Sequence, residues 1–307
     1  MTREEINEDK QKEIIRENNR IRNKKIILFV FKTLLILSII VFSFILYTTY
    51  VSSVLVSVRE YRITNQKIPS SFNGLKIVQF SDLHYGSTMY ESNLKQIKRI
   101  INERKPDIIV FTGDLILPTY KIKNQEKEIL AKHLSELTAR LGKYAVLGDE
   151  DDSELVTLYN QSDFNLLDND YDLVYYDDMN PFLIIGLGSS LKGNQNIDNA
   201  YRYFQQEGNN PNIYTITLVH EPDSVSDILE LYPNTDLVLS GHSLNGTIRT
   251  PFYHFPMERK NGAKKYHQDF YQINNTKLYV SSGLGTNNIS IRLFCRPSIN
   301  FFRLSSE

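Results

Sequence analysis

Between Lys32 and Arg59 the chain carries no charge: the 26 residues from Thr33 to Val58 are all apolar, hydroxylic or aromatic. A helix of that length spans about 39 Å at 1.5 Å per residue, more than the roughly 30 Å hydrocarbon core of a bilayer. Tyr47 and Tyr50 sit toward its far end, where interfacial aromatics collect. A cleaved signal peptide fits poorly, because the apolar stretch is too long, 32 residues precede it and no clear A-x-A-like site follows. A core helix is seldom so evenly apolar. The expected organisation is a polar cytoplasmic segment over 1–32, one transmembrane helix over 33–58 and one domain over 59–307. Arg20, Arg22, Lys24, Lys25 and Lys32 flank the near side, against Arg59, Arg62 and Lys67 beyond. This bias predicts a single-pass protein of the cell membrane, with its N-terminus in the cytoplasm and its C-terminal domain extracytoplasmic.

The same division separates the charge. Residues 1–32 hold nine Lys/Arg and six Asp/Glu, a net of +3, so the formal total of -1 leaves -4 for the remainder. An acidic remainder without basic clusters argues against a nucleic-acid partner. The one cysteine, Cys295, excludes an internal disulfide and a thiolate metal cluster, and its strand-like setting suits a buried, inert thiol.

Beyond the anchor the apolar pattern alternates between strand and helix. Strands are predicted over 75–80, 108–112, 144–147, 182–187, 213–219 and 237–239, and helices over 91–103 and 125–141. Three further strands, over 266–273, 277–281 and 289–294, look antiparallel. The strands deliver polar residues at their C-terminal ends, where open α/β sheets place their chemistry. They are Asp82 and His84, Asp114, Asp149, His220 and His242. In extended geometry residues two apart point the same way, so Asp82 and His84 could address one ion. Three carboxylates and three imidazoles suit Mn, Fe, Zn or Mg. Their spacings of 32, 35, 71 and 22 residues match successive β–α units. The plainer alternatives are satisfied core histidines at 220 and 242, and a helix N-terminus over Asp151, Asp152 and Ser153 ahead of Leu155. His133, His254 and His267 lie outside the motifs, although His254, beside Pro251-Phe252-Tyr253, could line a pocket.

The series Asp82-Leu83-His84, Gly113-Asp114, Gly148-x-x-Asp151, Val219-His220-Glu221-Pro222 and Gly241-His242-x-x-x-Gly246 resembles the calcineurin-like metallophosphoesterase superfamily. The resemblance is to its membrane-associated bacterial branch, and it covers nearly all of 59–307, including the tail from Tyr279 to Thr286. It implies a four-layer α/β/β/α sandwich and hydrolysis of phosphate esters by water, with two metals bridged by an aspartate. It further implies that Asp82, His84 and Asp114 serve one metal, and that Asp114, Asp149, His220 and His242 serve the other.

Two motifs depart from the family pattern. Its G-N-H-D is here Gly148-Asp149-Glu150-Asp151, and its G-H-T-H-G-G-Q is here Gly241-His242-Ser243-Leu244-Asn245-Gly246-Thr247. Leu244 replaces the histidine that would complete the first site, and Glu150 replaces the one expected beside the phosphate. Asp82, Asp114, Asp149 and Glu150 together carry -4. A unit charge at 4 Å is worth about 4 kcal/mol at an effective dielectric near 20, so an anionic phosphate is attracted less than in a typical member. The expectation is a membrane-anchored, metal-dependent phosphoesterase with an altered centre, holding one divalent ion tightly. Its substrate would be a phosphoester small molecule or a lipid-linked or envelope phosphoester, with Glu150 and His84 in catalytic roles. The alternative is an inactive member that binds a metal or ligand at the membrane.

Overall fold

The computed structural model describes residues 3–177, 180–246, 260–287 and 291–306. The chain forms two units, Met1–Thr48 and Thr49–Glu307. The first is one helix, α1 (Arg3–Leu46), of 44 residues, with no break between the polar segment and the apolar one. It contains a window apolar and long enough to cross a membrane, and none of that window is buried. Leu34, Ile36, Ile40 and Phe42 are all exposed, a surface that suits hydrocarbon better than water.

The second unit runs β1 (Ser57–Thr64), β2 (Lys76–Phe80), α2 (Glu91–Glu103), β3 (Ile108–Phe111), α3 (Asn124–Ser135), β4 (Gly142–Ala145), α4 (Glu154–Gln161) and β5 (Asn165–Leu166). It continues with β6 (Asp170–Val174), β7 (Phe182–Gly186), α5 (Ile197–Ala200), β8 (Thr215–Leu218), α6 (Val225–Leu231), β9 (Leu237–Ser240), β10 (Phe270–Ile273), β11 (Thr276–Val280) and β12 (Ser298–Ser305). Among the described residues these form two six-stranded sheets, ordered β1-β12-β2-β3-β4-β5 and β10-β11-β9-β8-β7-β6. Strands β2, β3 and β4 pair in parallel, as do β7, β8 and β9, and they read as continuous apolar runs because both faces are covered.

Three apolar clusters define the layers. Leu94, Ile97 and Ile101 of α2 pack with Leu130 and Leu134 of α3 on one face of the first sheet. Ile77, Ile108, Ile184, Ile216 and Phe302 fill the space between the sheets. Val225 and Ile228 of α6 cover the outer face of the second sheet, with Tyr201 and Val238. This is the helix–sheet–sheet–helix sandwich, and it leaves the C-terminal ends of the parallel strands of both sheets free to carry loops.

Several boundaries differ from expectation. Ser57 and Val58, the end of the charge-free stretch, belong to β1. The helix expected over 125–141 stops at Ser135, because the chain must reach β4; the Leu141 N–H donates to the Asp107 carbonyl at 2.7 Å. In the segment 289–294, residues 289 and 290 lie outside the described residues, and 291–294 form no strand. The final strand is β12, which pairs in parallel with β1 and antiparallel with β2.

Candidate metal centre

Each expected donor sits in the loop just past a strand end. Asp82 and His84 follow β2, Asp114 follows β3, Asp149 and Glu150 follow β4, His220 follows β8 and His242 follows β9. Adjacent loops are stitched together: the Asp82 N–H donates to the Gly113 carbonyl at 2.9 Å, and the His84 N–H to the Asp114 carbonyl at 3.2 Å. The backbone is left-handed at Asp82 (φ 48°), His84 (φ 44°), Asp114 (φ 60°), His242 (φ 64°) and Leu244 (φ 46°). A residue with a β-carbon pays about 1–2 kcal/mol for that conformation, and such strain concentrates at functional sites. Gly148 must be glycine for a different reason, since a β-carbon there would stand 2.1 Å from Asp114 Oδ1.

Two donor sets meet at Asp114. Its carboxylate, with those of Asp149 and the imidazoles of His220 and His242, offers four ligand atoms within 4.8 Å of one another. Asp82, His84 and Asp114 form a second set of three. In the first set, His220 Nε2 lies 3.1 Å from Asp114 Oδ2 and 3.1 Å from Asp149 Oδ1. His242 Nδ1 lies 3.0 Å from Asp149 Oδ1 and 3.3 Å from His220 Nε2. For ligand bonds near 2.1 Å, two donors on one ion stand about 3.0 Å apart at a right angle and about 3.4 Å at the tetrahedral angle. The observed separations fall in that interval. Asp149 Oδ1 is buried and makes no hydrogen bond among the described residues, as expected of an atom aimed at an ion.

The outer nitrogens fix the ring orientations. His220 Nδ1 donates to the Thr112 carbonyl at 2.6 Å, and His242 Nε2 to the Asn261 carbonyl at 2.6 Å. Nε2 of His220 and Nδ1 of His242 are thereby left facing the carboxylates, where each could ligate a cation, the usual arrangement behind metal-ligating histidines. These residues fit a divalent cation.

Electrostatics agree. Burial works to raise the Asp114 carboxyl, but His220 and His84 outweigh it and hold it well below the usual carboxylate range. Asp149 is likewise lowered, by His220 and His242 against burial. Burial works to lower the His84 imidazole, yet Asp114, Glu150 and Asp82 raise it to about 9. His220 is raised well above its ordinary value by Asp114 and Asp149, again against burial. His84 and His220 therefore hold protons here when no cation is bound.

Asp151 does not take the helix-terminus role of the plainer alternative. It does not cap α4: it is buried, and its two oxygens accept the N–H groups of Gly148 (2.9 Å), Asp114 (2.9 Å) and Leu115 (2.8 Å). It thus locks the loop bearing Asp149 to the loop bearing Asp114, at the cost of a carboxyl pushed up to about 6, first by burial and then by the Asp114 charge. The expected cap is partly present in Asp152, which accepts the Glu154 N–H at 3.1 Å, whereas Ser153 makes no side-chain cap. His254, expected to line a pocket, and Thr247 of the histidine motif lie outside the described residues.

Two supporting residues carry no recognisable signal in the chain. Buried Glu221 accepts from the Ser189 hydroxyl and from the Ser190 N–H at 3.2 Å, holding the loop whose Lys192 ammonium reaches the Asp151 carbonyl. Arg292, fully buried, donates to the carbonyls of Ser282, Gly283, Gly285 and Cys295 behind Asp82. Glu221 lies within the Val219-His220-Glu221-Pro222 motif, but its partners are 30–32 residues distant and only the folded chain joins them.

A two-sheet sandwich with carboxylates and imidazoles gathered at its strand ends is the architecture of a metal-dependent phosphoesterase. Residues 75–246 match the model of the calcineurin-like phosphoesterase family, and the chain belongs to it. It is 33% identical over 267 residues to the uncharacterized metallophosphoesterase YkuE of Bacillus subtilis, across 85% of this chain and 89% of that one. It is 28% identical to the UDP-2,3-diacylglucosamine pyrophosphatase LpxG of Chlamydia muridarum, across 78% of this chain and 88% of that one. A transmembrane protein with a metallophosphoesterase domain from Danio rerio is 26% identical across 78% of this chain and 55% of its own length.

Proposed function

We propose that this chain is a single-pass membrane-anchored phosphoesterase that cleaves a phosphate ester or pyrophosphate bond of a lipid-linked substrate. The observation that carries the reading is the convergence of Asp114, Asp149, His220 and His242 with both outer ring nitrogens committed to backbone carbonyls. These four residues hold one divalent ion tightly, and Asp82 and His84 with Asp114 form the weaker set. A bound divalent ion supplies Lewis-acid polarisation of a phosphoryl oxygen and acidifies water. Asp114 holds the two donor sets in register, Asp151 fixes the loops that carry them, and His220 and His242 keep the tautomers that the carbonyls impose. Glu150, partly open to solvent, and His84, wholly buried, stand 3.2 Å apart and supply acid–base groups when only the tight set holds an ion. The lipid-linked class is supported by the relative that, by its name, acts on UDP-2,3-diacylglucosamine, and by the long apolar helix of this chain.

The test is hydrolysis by the full chain in detergent with Mn²⁺, using an aryl phosphodiester and a lipid-linked pyrophosphate. Metal-dependent turnover that chelation removes and His220→Ala reduces at least about 100-fold is the expected result. Tight metal retention without turnover on either substrate would instead establish the binding-module reading, which Leu244, buried on the side of Asp82, keeps in play.

A second expectation concerns orientation. With the five-to-three bias of flanking Lys/Arg, protease added outside intact cells digests the phosphoesterase domain and spares a tag at residue 1. Protection of the domain reverses the orientation.

A further inference from the structure

The second donor set lacks the family histidine, and the side chain in its place cannot substitute. Leu244 is buried and shares a wall with Asp82: a β-carbon on Gly283 would meet Leu244 Cδ2 at 2.5 Å and Asp82 Cβ at 2.9 Å. An alkyl group has no lone pair to offer. A different residue approaches the same set.

Glu150 is anchored over the shared carboxylate, because its N–H donates to Asp114 Oδ1 at 3.0 Å. From there its side chain turns away from the one preceding it. Asp149 reaches His220 and His242, whereas Glu150 Oε2 reaches His84 Nε2 at 3.2 Å. The same His84 Nε2 is 3.4 Å from Asp114 Oδ2. Consecutive carboxylates thus flank Asp114, one toward each donor set. Although the Glu150 side chain is 22% exposed, Oε2 itself is buried and makes no hydrogen bond among the described residues. The two atoms stand at the spacing of neighbouring ligands on one ion, about 3.0–3.4 Å.

We infer that Glu150 replaces the missing histidine, so that Asp82, His84, Asp114 and Glu150 hold a second divalent ion, more weakly than the first. The inference rests on the metal-dependent reading proposed above. It also assigns the kind of ion. Three carboxylates and one imidazole form a harder donor set than the two carboxylates and two imidazoles on the other side of Asp114, and suit Mn²⁺ or Mg²⁺ better than that set does.

The experiment is calorimetric titration of the metal-stripped full chain in detergent micelles with Mn²⁺, with metal content measured after dialysis. Wild type is expected to take two ions per chain with affinities at least about tenfold apart, and to keep one on dialysis. Glu150→Gln, nearly isosteric, is expected to take one. Leu244→Ala still takes two, because residue 244 donates nothing. The pair Glu150→Gln with Leu244→His takes two again, since an imidazole returns to the position the leucine occupies; this arm separates loss of a ligand from loss of fold. Saturation of wild type at one ion, or two ions in Glu150→Gln, overturns the inference and leaves the proposed function standing. No ion at all in wild type overturns both.

Discussion

Replacing Asp114 with asparagine lowers phosphoester hydrolysis at least about 10³-fold and abolishes tight metal retention. Removing one electrostatic stabiliser from a preorganised site commonly costs about 10²- to 10³-fold, and Asp114 belongs to both donor sets at once. Its Oδ2 stands 3.1 Å from His220 Nε2 and 3.4 Å from His84 Nε2, and an amide in that place would present either a weaker acceptor or an N–H toward the cation. The substitution keeps the volume, so the folded domain persists. The measurements are metal content and initial rates on the same preparation, with circular dichroism as the check on folding. Retention of more than a tenth of wild-type activity would mean that the two sets do not share this carboxylate.

The second large effect is one of pH, and it appears only when metal is removed. His84 has its folded-state pKa raised to about 9 from an ordinary value near 6.5. The stabilisation from its buried imidazolium is therefore complete below pH 6.5 and is lost as pH rises through 9. At about 1.36 kcal/mol per unit the swing is on the order of 3 kcal/mol, and His220, raised in the same direction, adds to it. Asp151, raised to about 6, has finished titrating below this window, and the lowered carboxyls of Asp114 and Asp149 act only at acid pH. For a domain of this size that swing corresponds to a fall in melting temperature of roughly 6–12 °C between pH 6.5 and 9. Saturating Mn²⁺ should flatten the profile, because cation and proton compete for the same lone pairs and metal affinity rises with pH. Thermal unfolding in chelator and in Mn²⁺ across that interval checks both parts. A chelated protein equally stable at both ends would show that the imidazoles are not charged in the folded state.

Much of this centre was legible in the linear chain, for a physical reason. Parallel strands buried on both faces read as unbroken apolar runs, and the first polar residue after each run falls at the same edge of its sheet. Asp82, His84, Asp114, Asp149, His220 and His242 could be gathered on paper because periodicity places them there, and the structure brings them together in two sets. What failed was whatever depends on partners distant in sequence. Asp151 looks like a helix cap because capping is a local signal, whereas its donors at Asp114 and Leu115 come from 37 and 36 residues away. The run Arg292-Leu293-Phe294-Cys295 alternates like a strand, but Arg292 serves four carbonyls instead, and the strand begins only after Pro297. Strand β1 was hidden by its charges, Arg59, Glu60 and Arg62, which an edge strand tolerates.

The placement of β12 sets the order of events when the protein is made. Ser57 of β1 pairs with Ser298 of β12, 241 residues later, and β2 lines the other side of the same strand. At roughly 5–20 residues per second, the ribosome adds that length in about 12–50 s, during which β1 has no neighbour. The loop behind Asp82 is equally late, since the Asp82 carbonyl accepts the N–H groups of Leu284 and Gly285. A nascent chain consequently carries the first two donors of its metal centre for most of its synthesis without the scaffold that aims them. The donor set containing Asp82 and His84 is thereby completed later than the set of Asp114, Asp149, His220 and His242, and a product truncated before β12 is left with an unpaired β1 edge.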